Sequence, residues 1–207
     1  MSKIVITGGA GFIGSHLGEA FAKAGHEVVL ADNLDDYYSP ELKKRNIDCV
    51  LRSGNVNFVK ADVTDIDTLK KIINKSVDYV FHEAAQPGTR ISVEDPFKPN
   101  NVNVLGTLNV LQASLEAGVK RVVYSSTSSG YGLKNKIPLA ETMPDDCLNP
   151  YSVTKVSGEK LCKMYTDLFN LETVVFRYFN VYGERHPVKG QYAPVIGIFI
   201  RQKQNNE

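Results

Sequence analysis

The chain has 207 residues, 43% of them hydrophobic and 23% charged, with a formal net charge of +1. This suits one globular domain with a sizeable core, or one domain and the start of another, and the balanced charge excludes a broad basic face for nucleic acid or an anionic membrane. No apolar run is long enough to span a bilayer, and Met1-Ser2-Lys3 runs straight into a strand pattern without a signal-peptide layout.

In chain order, the pattern predicts a strand over Lys3–Thr7, a helix over Phe12–Ala24 and a strand over Glu27–Ala31. A helix over Pro40–Arg52 and a strand over Val56–Lys60 follow, then a helix over Asp65–Asn74 and a strand over Val77–His82. The second half gives a helix over Asn101–Ala117, a strand over Arg121–Ser125, a helix over Tyr151–Phe169 and a strand over Glu172–Tyr178. Strands apolar throughout need cover on both faces, which alternating helices supply. The expected fold is therefore α/β, a doubly wound parallel sheet of seven strands or slightly fewer. Leu133–Pro150 and the tail from Gly183 to Glu207 fall outside the alternation and are expected to serve the substrate. Residues 1–182 are expected to form a dinucleotide-binding domain, with 183–207 beginning a substrate region. Cys49, Cys147 and Cys162 stand too far apart for a metal or redox pair. No metal site is expected, and a reducing cytoplasm is the expected setting.

The first strand runs into Thr7-Gly8-Gly9-Ala10-Gly11-Phe12-Ile13-Gly14 and then a helix. The spacing G-x-G-x-x-G at Gly9, Gly11 and Gly14 is weak evidence alone. Placed between strand and helix, it allows a pyrophosphate to approach the helix N-terminus closely. Asp32 ends the second strand, where a carboxylate would bind adenosine ribose hydroxyls and repel a 2′-phosphate, which favours NAD over NADP. Asp62-Val63, after the third strand, either meets an adenine or stabilises a helix N-terminus.

Tyr151 and Lys155 lie at i and i+4 on one helix face. An ammonium and a nicotinamide cation beside that phenol would favour the phenolate, a general base near neutral pH. Alone, the pair also fits a solvated helix face. Ser125-Ser126-Thr127-Ser128-Ser129-Gly130-Tyr131-Gly132 ends a strand with hydroxyls that could share a proton with Tyr151, or is simply a serine-rich turn.

Thr7–Leu17, His82–Ala85, Ser125–Gly132, Tyr151–Lys155 and Arg177–Gly183 together resemble the extended short-chain dehydrogenase/reductase family of NAD-dependent epimerases and dehydratases. The likeness is greatest to UDP-glucose and UDP-N-acetylglucosamine 4-epimerases, and it runs almost from end to end. It implies 4-epimerisation of a UDP-hexose through a 4-keto intermediate, in a homodimer packed through the helices containing Asn103–Ala117 and following Tyr151. By position it assigns Gly8, Gly11, Phe12, Ile13 and Gly14 to the pyrophosphate, Asp32 and Asn33 to the ribose, and Asp62 and Val63 to the adenine. Ala84, Ala85, Asn103 and Ser125 would line the cofactor, with Phe179 beside the nicotinamide. Thr127 falls on the catalytic Ser/Thr, Tyr151 on the base and Lys155 on its partner. Asn180, Ala193 and Val195 would join Thr127 and Tyr151 against the sugar nucleotide. Asp32-Asn33-Leu34-Asp35-Asp36-Tyr37-Tyr38 is more similar to UDP-glucuronate 4-epimerases. Ser128 and Ser129 stand where 4,6-dehydratases carry an Asp-Glu pair. Gly130 replaces a bulkier apolar residue and is expected to loosen the Thr127 loop. Family members continue beyond the length seen here, so a non-catalytic dinucleotide-binding module is the alternative from another class.

Overall fold

The structure is a computed structural model that describes residues 1–37, 39–187 and 195–205. Six strands form one parallel sheet: β1 (Lys3–Thr7), β2 (Glu27–Asp32), β3 (Val56–Lys60), β4 (Tyr79–His82), β5 (Arg121–Thr127) and β6 (Thr173–Tyr178). Their order is β3-β2-β1-β4-β5-β6, so the winding reverses between β1 and β4, and a doubly wound sheet binds its ligand outside the carboxyl ends there. Six strands, at the lower end of the expected number, complete the sheet among the described residues.

The alternation within β1 and β2 explains why both faces are covered. Ile4, Ile6, Val28 and Leu30 bury against α1 (Phe12–Lys23) and α2 (Pro40–Leu51), joined by Ala22 and Val50. Val5 and Val29 point to the opposite layer, formed by α3 (Ile66–Ile72), α6 (Gly106–Ala117) and α7 (Pro150–Phe169), where Leu69, Leu111 and Tyr165 complete the larger core.

Helix boundaries follow local chemistry. Asp65 caps α3 by accepting from the amides of Asp67 and Thr68, so the expected start at Asp65 becomes the cap itself. Gly118, in the left-handed conformation, ends α6. Asn149 opens α7 through a capping box with Ser152, and Pro150 occupies the first turn. The helix expected over Asn101–Ala117 is not uniform. It begins as a wide π-helical turn, Asn100–Leu105, before α6. Three further helices have no strong signal in the sequence pattern: α4 (Thr89–Glu94), α5 (Phe97–Pro99) and α8 (Val195–Asn205), the last within the expected irregular tail. Among the described residues no helix is long and apolar enough to cross a membrane.

Candidate active site

The carboxyl ends of the strands open into a cavity of about 440 Å³. At one side is the turn from β1 into α1. Gly8 has φ +68°, which side chains rarely adopt, and a Cβ there would lie 2.6 Å from the Ala84 amide nitrogen. At Gly14 a Cβ would come 2.3 Å from the Gly8 carbonyl. Both glycines are therefore required for α1 to begin this close to the sheet. Gly8, Gly11, Phe12, Ile13 and Gly14, the positions that the family resemblance assigns to a pyrophosphate, all line the cavity.

Asp32 ends β2 at the cavity wall, 6% exposed. Its carboxylate accepts the Ala10 amide at 3.2 Å and the Leu34 amide at 2.8 Å, which fixes its orientation. Buried Lys43, carried in by α2, lies 3.4 Å from it. Asn33 and Val63 also face the cavity, whereas Asp62 stands behind them. Its carboxylate accepts from Asn33 Nδ2 (2.8 Å) and from the Thr64 amide and hydroxyl, and these bonds hold it below its ordinary value against the opposing effect of partial burial.

Ala84 and Ala85 line the opposite wall. Asn103 does not, contrary to expectation. It is buried in the π-helical turn, where its carbonyl accepts the Gln86 amide (2.8 Å) and its amide donates to the Gln86 carbonyl (3.1 Å) and to Thr154 (2.9 Å). The wide turn lets one side chain tie the β4 loop to α7, so Asn103 shapes the wall from behind.

Thr127, Tyr151 and Lys155 converge at the far end of the cavity with Ser125. The Tyr151 amide donates to Ser92 of α4 at 3.1 Å, which fixes the first turn of α7. Burial raises the Tyr151 phenol above its usual value, and a hydrogen bond with Thr127 pulls it down. Lys155 is 3% exposed, and burial lowers its ammonium to about 8, opposed first by Glu83. Its Nζ lies 4.4 Å from the centre of the Tyr124 ring, and the Tyr124 hydroxyl donates to the Lys155 carbonyl at 3.2 Å. In the absence of a nicotinamide cation, burial outweighs the hydrogen bond from Thr127 and holds the phenol above its ordinary value, so the ammonium and the nicotinamide cation together would have to favour the phenolate.

The serine segment does not loosen at Gly130. Thr127 Oγ1 accepts the Ser129 amide at 3.1 Å, starting a tight turn over Ser128–Tyr131. Val156 occupies the space a larger residue would need, since a Cβ at Gly130 would lie 2.9 Å from it. Arg177 then fastens the region. It donates to Glu159 at 2.6–3.1 Å and to Asp145 at 2.7 Å, while its guanidinium covers the Tyr131 ring at 4.7 Å.

Phe179 lines the cavity, and Asn180 is exposed beside it. Ala193 lies outside the described residues; Val195 begins α8. The sequence reading missed Glu83, Lys43, Tyr178 and His186, all of which line the cavity. His186 meets the Phe12 ring edge-on at 4.8 Å. Lys43 had a findable signal, a lysine one helical turn inside α2 on the face toward Asp32. A single acid within His82-Glu83-Ala84-Ala85 carried none.

The family model for the NAD dependent epimerase/dehydratase family matches residues 4–207. A UDP-glucuronate 4-epimerase of Thermodesulfobacterium geofontis is 39% identical over 184 residues, 88% of this chain and 57% of its own length. Among solved structures, a UDP-N-acetylglucosamine 4-epimerase from Methanobrevibacter ruminantium M1 in complex with UDP-N-acetylmuramic acid superposes with a TM-score of 0.90 at 35% identity. It is matched over 100% of this chain and 64% of its own. A UDP-glucuronic acid 4-epimerase from Bacillus cereus, in complex with UDP-glucuronic acid and NAD, gives 0.89 at 35% identity, over 99% of this chain and 64% of its own. The chain thus spans 57–64% of the length of these relatives.

Proposed function

The chain belongs to the NAD dependent epimerase/dehydratase family, and from that premise we propose that it is the NAD-binding part of a UDP-hexose 4-epimerase acting on UDP-glucose and UDP-galactose or their N-acetyl forms. The observation that carries this reading is the convergence of Thr127, Tyr151 and Lys155 at one end of a cavity whose other end is the glycine turn and Asp32.

The residues present fit the dinucleotide. A turn that excludes Cβ atoms admits a pyrophosphate to the α1 N-terminus, and a fixed, buried carboxylate suits two ribose hydroxyls. Residues 1–182 hold NAD in this reading, with 183–207 beginning the substrate side. When bound, NAD supplies a hydride acceptor and donor for C4 of the sugar. Tyr151 takes the proton from the 4-hydroxyl and gives it back, and Thr127 shares that proton through its hydrogen bond to the phenol. Since burial holds the phenol protonated, positive potential must release it. Lys155 supplies part, and the N-terminal turn of the 20-residue α7 supplies more. Ser128 and Ser129 offer no carboxylate beside Thr127, which disfavours proton transfer at neighbouring carbons and hence dehydration. A homodimer through α6 and α7 belongs to the same reading.

Incubation with NAD and a panel of UDP-glucose, UDP-galactose, their N-acetyl forms and UDP-glucuronate, followed by sugar analysis, tests it. Tyr151→Phe should reduce any turnover by ~10²–10⁴ with little change in NAD affinity. Epimerisation confined to UDP-glucuronate would replace the substrate. Equal turnover by Tyr151→Phe would remove the mechanism. The second reading, a non-catalytic NAD-binding module, draws on the 57–64% span of the relatives' length. NAD binding without epimerisation of any UDP-sugar, in a chain complemented to full family length, would favour it.

A further inference from the structure

Lys155 presents an electrostatic problem that the Tyr-Lys motif does not solve. Its ammonium is almost fully buried, and among the described residues it makes no ion pair with a carboxylate. The Tyr124 ring faces it from β5 but brings no net charge. A cation so placed loses its proton unless an anion acts on it.

The groups facing it can be taken in turn. From α7 itself come Tyr151, Glu159 and Cys162; from β5, Tyr124; from the end of β4, Glu83. Burial holds both phenols protonated and pushes the Cys162 thiol up to about 12. Neighbouring His82 is neutral, lowered to about 3 by burial and enclosed by the hydroxyls of Thr7 (2.7 Å) and Thr107 (3.0 Å). Glu159 is already engaged: Arg177 binds both of its oxygens and Ser126 donates to it at 2.5 Å. Glu83 is different. The register His82↔Tyr124 sets it beside Ser125, whose hydroxyl donates to it at 2.7 Å, and its carboxylate opens on the cavity that Lys155 also lines. No cation pairs with it among the described residues.

We propose that Glu83, held by Ser125 at the end of β4, is the counter-charge of Lys155: a positioning residue that keeps the ammonium protonated beside Tyr151. The inference rests on the reading of Tyr151 and Lys155 as the catalytic pair. It adds an acid to that pair, and it predicts that the pH range of the site is set from β4 as well as from α7. Burial raises the Glu83 carboxyl, and Ser125 and Lys155 oppose that rise. The two groups therefore support each other's charged forms.

The test is a pH titration of the whole chain by NMR with ¹³C-labelled lysine, the Lys155 signal being the one lost in Lys155→Arg. In the wild type that signal should titrate near 8. In Glu83→Gln, which keeps a hydrogen-bond acceptor for Ser125, it should titrate roughly one pH unit lower, and Glu83→Asp should restore most of the difference. An unchanged midpoint in Glu83→Gln overturns the proposal. If Glu83→Gln does not fold, Ser125→Ala decides: a moved Lys155 midpoint supports the proposal, and an unmoved one overturns it. No turnover is needed, so an inactive chain would count against the epimerase reading without touching this result.

Discussion

Two charged side chains illustrate how single residues trade stability for chemistry. Lys155 titrates near 8 in the fold, below the ~10.4 of an unfolded lysine. Between those values the unfolded chain binds the extra proton, so this group makes stability rise with pH from 8 to ~10.4. Below 8 the full penalty remains. Lys155→Met should therefore raise stability at pH 7, by less than the roughly 3 kcal/mol of the whole shift because Glu83 loses the charge that opposes its own burial, while weakening NAD binding. Denaturant unfolding at pH 7 and pH 10.5 checks this, because the gain should shrink at the higher pH. An equal or lower stability at pH 7 would show that the cation is better compensated than its surroundings suggest. Asp32 acts on cofactor choice. NAD should bind better than NADP, because the carboxylate repels a 2′-phosphate. Asp32→Ala also removes the 3.4 Å ion pair with Lys43, leaving an ammonium at the cavity wall. The NAD:NADP affinity ratio should fall by about 10- to 100-fold, as measured by calorimetry. An unchanged ratio would mean that Asp32 does not face the ribose. That Tyr151, Lys155 and Thr127 share one cavity was legible in the sequence, from the i, i+4 pair at the start of a helix and from the family resemblance at the end of β5. Glu83 and Asn103 could not be read correctly, since their partners, Ser125 and Gln86, come together only through strand register and a π-helical turn.

At the level of elements, all six strands agree with the sequence pattern to within two residues at each end, because the continuous apolar runs of β1 and β2, buried on both faces, leave a clear signal. β5 runs on to Thr127 and carries the hydroxyl residues into the cavity, and polar residues at a strand end look like loop in a hydrophobicity pattern. The short α4 was hidden for a related reason: its buried residue is a serine, Ser92, and its role is the bond to Tyr151. Helices α6 and α7 carry exposed apolar residues that an association would cover. Leu108 on α6 and Val153, Met164 and Leu168 on α7 are all exposed, and Leu168 is 67% exposed. The four residues Val153, Ser157, Met164 and Leu168 fall near one face of α7. Two copies packed through these faces would make a four-helix interface. The protein should be a dimer by light scattering at micromolar concentration. Leu168→Glu should shift it to monomer without loss of helical signal, since the side chain is largely outside the core. A wild-type monomer at every concentration would remove the dimer from the proposed function.

For the whole molecule, the described cavity stands within a span that covers 57–64% of the relatives' length. The sheet order, the glycine turn and the Thr127–Tyr151–Lys155 cluster all lie within the 207 residues. β6 is an outer strand, and Phe176 on it and Phe179 and Tyr182 after it are exposed, Phe179 at the cavity. In the solved relatives a further third of the chain has no counterpart here. Cofactor and substrate binding should therefore separate. The wall proposed to meet the dinucleotide is built from β1, β2, β4 and α7, so NAD should remain bound through purification or bind readily when added. The sugar nucleotide would meet only part of a binding surface. Water would reach the reacting carbon, and the orientation that brings the 4-hydroxyl to Tyr151 would be lost. We expect the isolated chain to hold NAD and to turn over UDP-sugars poorly or not at all. A chimera that adds the unmatched third of one of the solved epimerases should restore epimerisation in a Tyr151-dependent manner. Calorimetry with NAD and with each UDP-sugar, beside product analysis for both proteins, separates the outcomes. Robust epimerisation by the 207-residue chain would show that the described cavity suffices for the sugar nucleotide. A chimera that binds both ligands yet stays inactive would show that the Thr127–Tyr151–Lys155 cluster does not perform the chemistry.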